Sequence, residues 1–450
     1  MPSQQLLDLC QFLAGRKSEN TPYSVLHHAK LVLLDTLAVI LKGSRVPEVN
    51  EIAQRFGRCG NEAGATCPGR PGAFAPLVAV MLNGIGGSSL EFEEGNTRAM
   101  GHPSIQLVPA LMAAGEEEGV TGERLLIGLI CGYEGASRIS RASAMRKGLH
   151  PTGTWGAVGS ALGVGCLRSR KAEDLQEIAN IASSYAISPF VKNSFVGKNV
   201  ASTFAGFANQ AGYLANLFFE KGIRADEGCL QMSFSQFLSA RFNLDILASR
   251  LGEEYAIAEN YFKPYPTCRF AQPSLDALRA ILRDTKIPPE DILGVKVWSF
   301  GAAVHTSSRP PENVEAMRFS TPYLVAAMLL YGDVDLEILK EGILVDPALK
   351  DLASRVEMIL SEEYEQMRPM RSPAKVSVRL KDGRDLTREV IDCLGDPLNP
   401  MPEKAIFTKF MSLAGPVIGQ HAAQEFMGGV QSLESVKNVR TLFSLLRKSM

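Results

Sequence analysis

The residues best suited to chemistry lie between Ser88 and Ser104, in the sequence SSLEFEEGNTRAMGHPS. This stretch contains three carboxylates, Glu91, Glu93 and Glu94, and His102, which is followed directly by a proline and a serine. Proline favours the first turn of a helix, so the pattern predicts a helix that begins just after the histidine. The unpaired N–H groups of such a helix attract anions. The stretch therefore predicts a site where a histidine and a helix N-terminus share an anion.

The same pattern recurs at His150, in the sequence LHPTGT. A histidine titrates near neutral pH and can act as an acid or a base on a carbon acid. Either histidine alone could equally cap a helix or lie in the core, but the repeat and the nearby carboxylates favour a functional pair. We expect Glu91 to position the chemistry, and Glu93 and Glu94 to be loop residues. The pattern indicates a site for a small acidic molecule.

Composition indicates a soluble globular protein with more than one domain, since 46% of the 450 residues are hydrophobic and 21% are charged. The net charge is −1 and the basic residues are scattered, which argues against a nucleic-acid partner. The longest apolar runs are well short of the roughly 20 residues that span a bilayer. The N-terminus reads as an amphipathic helix rather than a signal peptide. We therefore expect a cytoplasmic protein with no membrane partner.

Cofactor signatures are missing from the sequence. The eight cysteines, Cys59 among them, form no C-x-x-C pair, which argues against a zinc site, an iron–sulfur cluster or a disulfide scaffold. Six histidines leave few candidate metal ligands. There is no G-x-x-x-x-G-K-[ST] motif and no strand-linked G-x-G-x-x-G motif. The expectation is catalysis that uses neither a metal nor an organic cofactor.

Apolar periodicity predicts a mainly α fold with a large all-helical domain and a smaller inserted α/β domain. Residues 1–262 read as successive helices, and helical periodicity returns over 396–450. Between them, residues 263–395 contain a β-branched run and a hairpin signal around Asp382-Gly383, which predict an antiparallel sheet. The simplest arrangement has both ends of the chain forming the helical domain.

Further polar residues could contribute to the same chemistry. Lys192 and Lys198 could stabilise an enediolate formed next to a carboxylate, although surface lysines are as plausible. Lys263 lies at the predicted domain junction, where ligands often bind. Cys268 has a cationic neighbour in Arg269, but a structural thiol is the simpler interpretation. A further candidate is a tyrosine that could line the cleft or belong to the core, Tyr323.

Read together, five segments resemble the MmgE/PrpD family, in matching order from about residue 5 to residue 445. The segments are Gly101–Ser104, Gly132–Glu134, Leu149–Thr154, Lys263–Arg269 and Arg318–Tyr323. That family includes 2-methylcitrate dehydratase, cis-aconitate decarboxylase and iminodisuccinate epimerase. The resemblance implies a helical domain built from both termini, an inserted α/β lid domain, a homodimer, and no metal or organic cofactor.

The resemblance also implies roles for single residues. His102 and His150 match the two active-site histidines of the family, and Glu91 stands where many members have the first Asp of a D-F-D-D loop. Lys192 matches the lysine before the family's K-R-L-H-x-G-R segment. In this chain, phenylalanine stands at the histidine position of that segment and Lys198 at its arginine position. Two lid positions that face the cleft in the family match Lys263 and Tyr323, and Cys268 replaces a lid histidine of cis-aconitate decarboxylase.

These observations lead to one main hypothesis and two alternatives. The main hypothesis is a cofactor-independent lyase, a dehydratase or decarboxylase, that moves a proton at the carbon next to a carboxylate of a small di- or tricarboxylate. Catalysis is assigned to His102, His150, Lys192 and Tyr323, and substrate binding to Glu91, Lys198, Lys263, Cys268 and Arg269. The first alternative is an epimerase of an amino- or imino-dicarboxylate. The second is a non-catalytic dimeric carboxylate-binding protein.

Overall fold

The computed structural model describes residues 3–57, 64–307, 309–340 and 342–447, and Cys59 lies outside these ranges. The chain divides into two compact units. The first comprises Met1–Val191, Ser202–Asn260 and Pro402–Met450, and the second comprises Lys192–Ala201 and Tyr261–Met401. The predicted mainly α fold class with a smaller α/β portion is confirmed.

The first unit is built from helices, as its apolar periodicity predicts. Its helices of eight or more residues are Gln4–Ala14, Tyr23–Gly43, Pro47–Phe56, Pro76–Ser88, Val108–Glu118, Gly122–Ala142, Trp155–Leu167, Ala172–Ser183, Thr203–Glu220, Glu403–Ile418 and Gln420–Gln431. Shorter helices are Cys229–Met232, Asp245–Ala248 and Val439–Ser444. Two strand pairs are antiparallel, Ala65–Thr66 with Ala73–Phe74 and Ser143–Met145 with Ser239–Phe242.

Glycines let two of these helices approach each other closely. A Cβ atom on Gly132 would lie 3.0 Å from the Cα of Gly163, and one on Gly163 would lie 2.9 Å from the carbonyl oxygen of Gly128. Any larger residue would push the helices Gly122–Ala142 and Trp155–Leu167 apart. The small residues noted in the sequence therefore serve tight helix packing.

The helix Tyr23–Gly43 is buried at the centre of the first unit. In the described residues it is the one helix that is long and apolar enough to cross a membrane by length and composition, and 83% of its most apolar window is buried within the fold. Two of its charged side chains also form ion pairs within the unit: Lys30 with Glu434 at 2.8 Å and Asp35 with Lys409 at 2.7 Å. Its apolar residues are thus accounted for by the core of this unit.

The second unit contains a four-stranded mixed sheet. Its strands lie in the order Asp385–Val390, Ala374–Leu380, Ile292–Ser299 and Val356–Leu360. Among the first three strands each neighbouring pair is antiparallel, and the hairpin is confirmed with its Asp-Gly turn. The predicted antiparallel sheet is confirmed for these three strands, but a fourth strand, Val356–Leu360, pairs in parallel with Ile292–Ser299. A parallel pair needs a long crossover, which leaves no local signal in the sequence.

The core of the second unit lies between this sheet and its helices. Val376 and Val378 point into it on alternate strand positions, together with Leu275 and Leu278 of the helix Gln272–Asp284. Further helices of the unit are Lys192–Phe195, Gly301–Thr306, Val314–Met317, Thr321–Tyr331, Pro347–Ser354 and Glu362–Gln366.

One segment groups differently from the sequence-based division. Lys192–Ala201 belongs to the second unit, although the sequence places it in the helical domain. Two contacts explain this grouping. The Asn313 side-chain amide donates to the Gly197 carbonyl at 2.9 Å, and the Phe195 ring packs against Phe319 with centroids 5.8 Å apart.

Candidate active site

The segment that contains Glu91, Glu93 and Glu94 is largely buried. We call residues 91–94 the acidic loop. Glu93 and Glu94 are loop residues, as expected, but they are not solvated, since Glu93 is 2% exposed and Glu94 is fully buried. Glu91 is half-buried and has a φ of +50°, a left-handed conformation that non-glycine residues rarely adopt. Such strain persists where surrounding contacts hold the backbone in place.

The contacts of Glu94 hold the acidic loop against the helices behind it. Its carboxylate accepts hydrogen bonds from the Ser104 N–H at 3.0 Å and from the Tyr133 hydroxyl at 2.8 Å. Its own N–H donates to Asp35 at 3.0 Å. Burial raises the pKa of Glu94 to about 7; hydrogen bonds from Ser104 and Tyr133 oppose the rise, and the charge of Asp35 adds to it. Glu94 is therefore a buried carboxyl that titrates near neutral pH.

A buried lysine from the C-terminal part of the chain supports the same loop. Lys409 lies on the helix Glu403–Ile418, donates to the Phe92 carbonyl at 2.8 Å and forms the ion pair with Asp35. Its ammonium also lies 3.8 Å from the centre of the Phe92 ring, a cation–π contact. The helix Tyr23–Gly43, which carries Asp35, and the helix Glu403–Ile418, which carries Lys409, therefore meet at the acidic loop.

His102 is oriented by the main chain of this loop. Its Nδ1 lies 2.8 Å from the Glu94 carbonyl oxygen. A carbonyl can only accept a hydrogen bond, so Nδ1 carries the proton and, in the neutral ring, the lone pair is on Nε2. This is the arrangement of a general base that acts through Nε2.

His150 has the opposite tautomer. Its Nδ1 accepts a hydrogen bond from the Thr152 N–H at 3.1 Å, so the neutral ring carries its proton on Nε2. Burial lowers the pKa of His150 to about 4; the charge of Glu91 opposes this effect and that of His102 adds to it. His150 is therefore neutral at pH 7 and presents an N–H donor. The charges of Glu91 and His102 thus both act on the His150 ring.

Both histidines lie further from a helix start than the sequence predicts. A 3-10 turn, Ser104–Gln106, follows His102, and the α-helix begins at Val108 because Leu107 has a non-helical φ of −125°. After His150 the helix begins at Trp155, since Thr154 has a ψ of −95°. The prediction that each histidine directly precedes an α-helix is wrong. The N–H donor next to His150 comes instead from the loop residue Thr152.

Three groups at this site have the spacing of metal ligands. One ligand atom each of Glu91, Glu93 and His102 lies within 4.8 Å of the others. Two carboxylates and an imidazole could hold a divalent cation. The same negative charges would also stabilise the imidazolium that forms when His102 accepts a proton.

The remaining predicted residues lie in the second unit. Lys263 and Cys268 are buried there, and the Cys268 N–H donates to the Arg318 carbonyl at 2.8 Å. Tyr323 is half-buried and packs against the core of that unit. The other two candidates, Lys192 and Lys198, are exposed.

Arg269 has structural partners that account for its burial. Its guanidinium forms an ion pair with Asp396, donates to the Cys393 sulfur at 2.8 Å and lies 4.8 Å from the centre of the Tyr261 ring. These contacts connect distant parts of the second unit. A substrate-binding role for Arg269 stays a prediction.

Sequence reasoning missed Asp35 and Lys409, which hold the acidic loop in place, and it did not predict that Glu94 is buried. Asp35 had a visible signal, because it is an acidic residue in the middle of an otherwise apolar helical run. A buried charge in such a run needs a partner. Lys409 and Glu94 had no such signal, since their burial depends on contacts between distant parts of the chain.

Comparison with known proteins covers nearly the whole chain. The sequence profile of the MmgE/PrpD N-terminal domain matches residues 7–245, and that of the MmgE/PrpD C-terminal domain matches residues 265–435. A cis-aconitate decarboxylase from Aspergillus terreus is 25% identical over 468 residues, covering 98% of this chain and 95% of the relative. A cis-aconitate decarboxylase-like protein, oryM, from Aspergillus oryzae is 24% identical over 488 residues, covering 98% and 96%. The chain therefore belongs to the MmgE/PrpD family.

Proposed function

We propose that this protein is a lyase that moves a proton at the carbon next to a carboxylate of a small di- or tricarboxylic acid. Its relatives named cis-aconitate decarboxylase support a lyase of the dehydratase or decarboxylase type. The observation that carries the proposal is the pair of opposite tautomers, with a lone pair on Nε2 of His102 and a proton on Nε2 of His150.

In a dehydration, His102 would take the proton from the carbon next to the carboxylate. The C–H electron pair forms the double bond, the C–O bond breaks, and the hydroxide leaves as water with a proton from the imidazolium. The N–H of neutral His150 would donate to the carboxylate oxygen on which negative charge develops. Glu91 and Glu93 would stabilise the imidazolium while it exists.

In a decarboxylation, His102 would donate a proton to carbon instead of removing one. The C–C bond to the leaving carboxylate breaks, carbon dioxide departs, and the electron pair stays on carbon next to a remaining carboxylate or double bond. His102, after taking a proton from solvent on Nε2, would then deliver that proton to the carbon. Both reactions pass through a carbanion-like species that needs the same stabilisation, so the geometry supports both.

The experiment that tests the proposal is incubation of the purified protein with citrate, 2-methylcitrate, cis-aconitate and iminodisuccinate, followed by proton NMR. A dehydratase gives a new vinyl signal or the reverse hydration product, a decarboxylase gives carbon dioxide and a shorter acid, and an epimerase gives the other stereoisomer. Turnover of none of these acids, in a protein that binds at least one of them, would favour a non-catalytic carboxylate-binding protein.

One substitution at His102 and two at His150 sharpen this test. His102→Asn places an amide nitrogen near Nδ1 and keeps the hydrogen bond to Glu94, so it removes the base and preserves the loop. Loss of the base should lower kcat by about 100-fold or more. His150→Gln keeps a donor near Nε2, whereas His150→Asn keeps only the acceptor for the Thr152 N–H. We expect the Gln variant to be the more active of the two.

We also propose that the protein is a homodimer, as the resemblance implies. The first unit exposes large apolar side chains that association would cover, among them Phe190, Phe207 and Phe237, which are 56%, 47% and 71% exposed. Light scattering at micromolar concentration should give twice the chain mass of 48.8 kDa. A mass equal to one chain would contradict the dimer.

A further inference from the structure

Gln106 connects the two histidine segments through one side-chain amide. It lies in the 3-10 turn Ser104–Gln106 and is fully buried. Its Nε2 donates to the His102 carbonyl at 3.0 Å, and its Oε1 accepts from the Gly153 N–H at 2.8 Å. One planar amide therefore joins the backbone of His102 to the backbone three residues after His150.

The amide packs tightly against the start of the helix Trp155–Leu167. A Cβ atom on Gly156 would lie 1.9 Å from Oε1 of Gln106, so that glycine is what allows the amide to fit. At the other end of the contact, a Cβ atom on Gly101 would lie 2.7 Å from the Trp155 ring. The segment around His102 therefore packs against the segment that follows His150, and the Gln106 amide is part of this contact.

We infer that Gln106 is a positioning residue that sets the spacing and orientation of the two imidazoles. The inference rests on the proposed function for its catalytic consequence, but the geometric claim stands on the two hydrogen bonds. Donor and acceptor are both required, because the His102 carbonyl can only accept and the Gly153 N–H can only donate. Ionised glutamate can replace the acceptor but not the donor, and leucine can replace neither.

This difference gives a graded test that uses two variants of similar size. Gln106→Glu keeps the bond to Gly153 and places a carboxylate oxygen against the His102 carbonyl, so it should disturb the His102 segment and spare the His150 segment. Gln106→Leu should disturb both. A matched control is Gln176→Leu, which removes a single side-chain bond to the Ser3 carbonyl elsewhere in the first unit.

The first readout is nitrogen-15 NMR of histidine-labelled protein, which reports which ring nitrogen carries the proton. The chain has six histidines, and spectra of His102→Asn and His150→Asn assign the two relevant rings. Wild type should show protonated Nδ1 for His102 and protonated Nε2 for His150. We expect Gln106→Glu to shift the His102 signals alone, Gln106→Leu to shift both sets, and Gln176→Leu to shift neither.

The second readout is steady-state kinetics with whichever acid the wild type converts. Misplacement of a reacting group by about 1 Å can cost about 100-fold in rate. We expect both Gln106 variants to lower kcat by about 10- to 100-fold with KM changed less than threefold, and Gln176→Leu to match wild type. If Gln106→Leu does not fold, the isosteric Glu variant decides, measured at a pH where its carboxyl is ionised.

The outcomes separate this inference from the proposed function. Wild-type histidine signals in folded Gln106→Leu, or a wild-type kcat for that variant, would overturn the positioning role, as would the same results for Gln106→Glu at a pH where its carboxyl is ionised. Wild type that converts no acid, with the histidine signals shifted as expected in the Gln106 variants, would refute the proposed lyase and leave the positioning role supported.

Discussion

The buried carboxyl of Glu94 predicts a distinct pH dependence of stability. Its pKa is raised from 4.5 to about 7, chiefly because burial disfavours the charged form. The folded state therefore binds this proton more tightly than the unfolded state does. The resulting stabilisation is fully present below pH 4.5 and is lost as the pH rises through about 7.

The perturbation that isolates this effect is Glu94→Gln, a neutral side chain of the same shape. Its oxygen can still accept from the Ser104 N–H, and its amide can still contact the Tyr133 hydroxyl. At 1.36 kcal/mol per pKa unit, a rise from 4.5 to about 7 corresponds to about 3 kcal/mol. Between pH 4.5 and pH 8.5 the wild type should lose about 3 kcal/mol of unfolding free energy relative to the variant.

The assay is urea unfolding of both proteins at pH 4.5, 6, 7 and 8.5, with the difference in unfolding free energy plotted against pH. Other titrating groups are common to both proteins and largely cancel in this difference. Glu253→Gln is the control, because the Glu253 side chain is 66% exposed and its variant should follow the wild type at every pH. A difference between wild type and Glu94→Gln that stays constant from pH 4.5 to 8.5 would refute a raised pKa for Glu94.

Three further predictions concern the surroundings of the histidines. Lys409→Met leaves Asp35 as an uncompensated buried charge, so urea unfolding should show a loss of about 3 kcal/mol or more; Lys296→Met, which removes an exposed pair with Glu357 at 3.8 Å, should cost less than about 1 kcal/mol. Because the pKa of His150 is lowered to about 4, stability should rise between pH 4 and 6.5 relative to His150→Gln, and a fall over that range would contradict the assignment. Dialysis against a chelator should leave kcat within twofold of its starting value; a loss that added divalent metal restores would instead indicate a bound cation.

Much of the fold could be predicted from the sequence because the relevant signals are local. The helix Gly122–Ala142 follows apolar periodicity, and the hairpin of Ala374–Leu380 and Asp385–Val390 follows alternation around an Asp-Gly turn. The parallel strand Val356–Leu360 could not be predicted in the same way, because its partner lies about 60 residues earlier in the chain. The same holds for Lys192–Ala201, whose grouping depends on a contact with Asn313.

The candidate site, too, could be predicted from the sequence only in part. His102 and His150 could be found from a repeated His-Pro-[Ser/Thr] pattern and from the family resemblance. Their tautomers could not, because these depend on the Glu94 carbonyl and the Thr152 N–H, whose positions follow from the fold. That Glu94 is the fully buried carboxylate depends on the Ser104 N–H and the Tyr133 hydroxyl, so it could not be predicted from a stretch that reads as a charged loop.

The measurement that tests the central claim most directly is solvent-deuterium incorporation at the carbon next to the carboxylate, followed by NMR in deuterium oxide. Wild type should incorporate deuterium at that carbon in at least one of the four acids or its product. His102→Asn, which keeps the hydrogen bond to Glu94, should slow incorporation by about 100-fold or more. Incorporation by His102→Asn at the wild-type rate would contradict the assignment of His102 as the group that moves the proton.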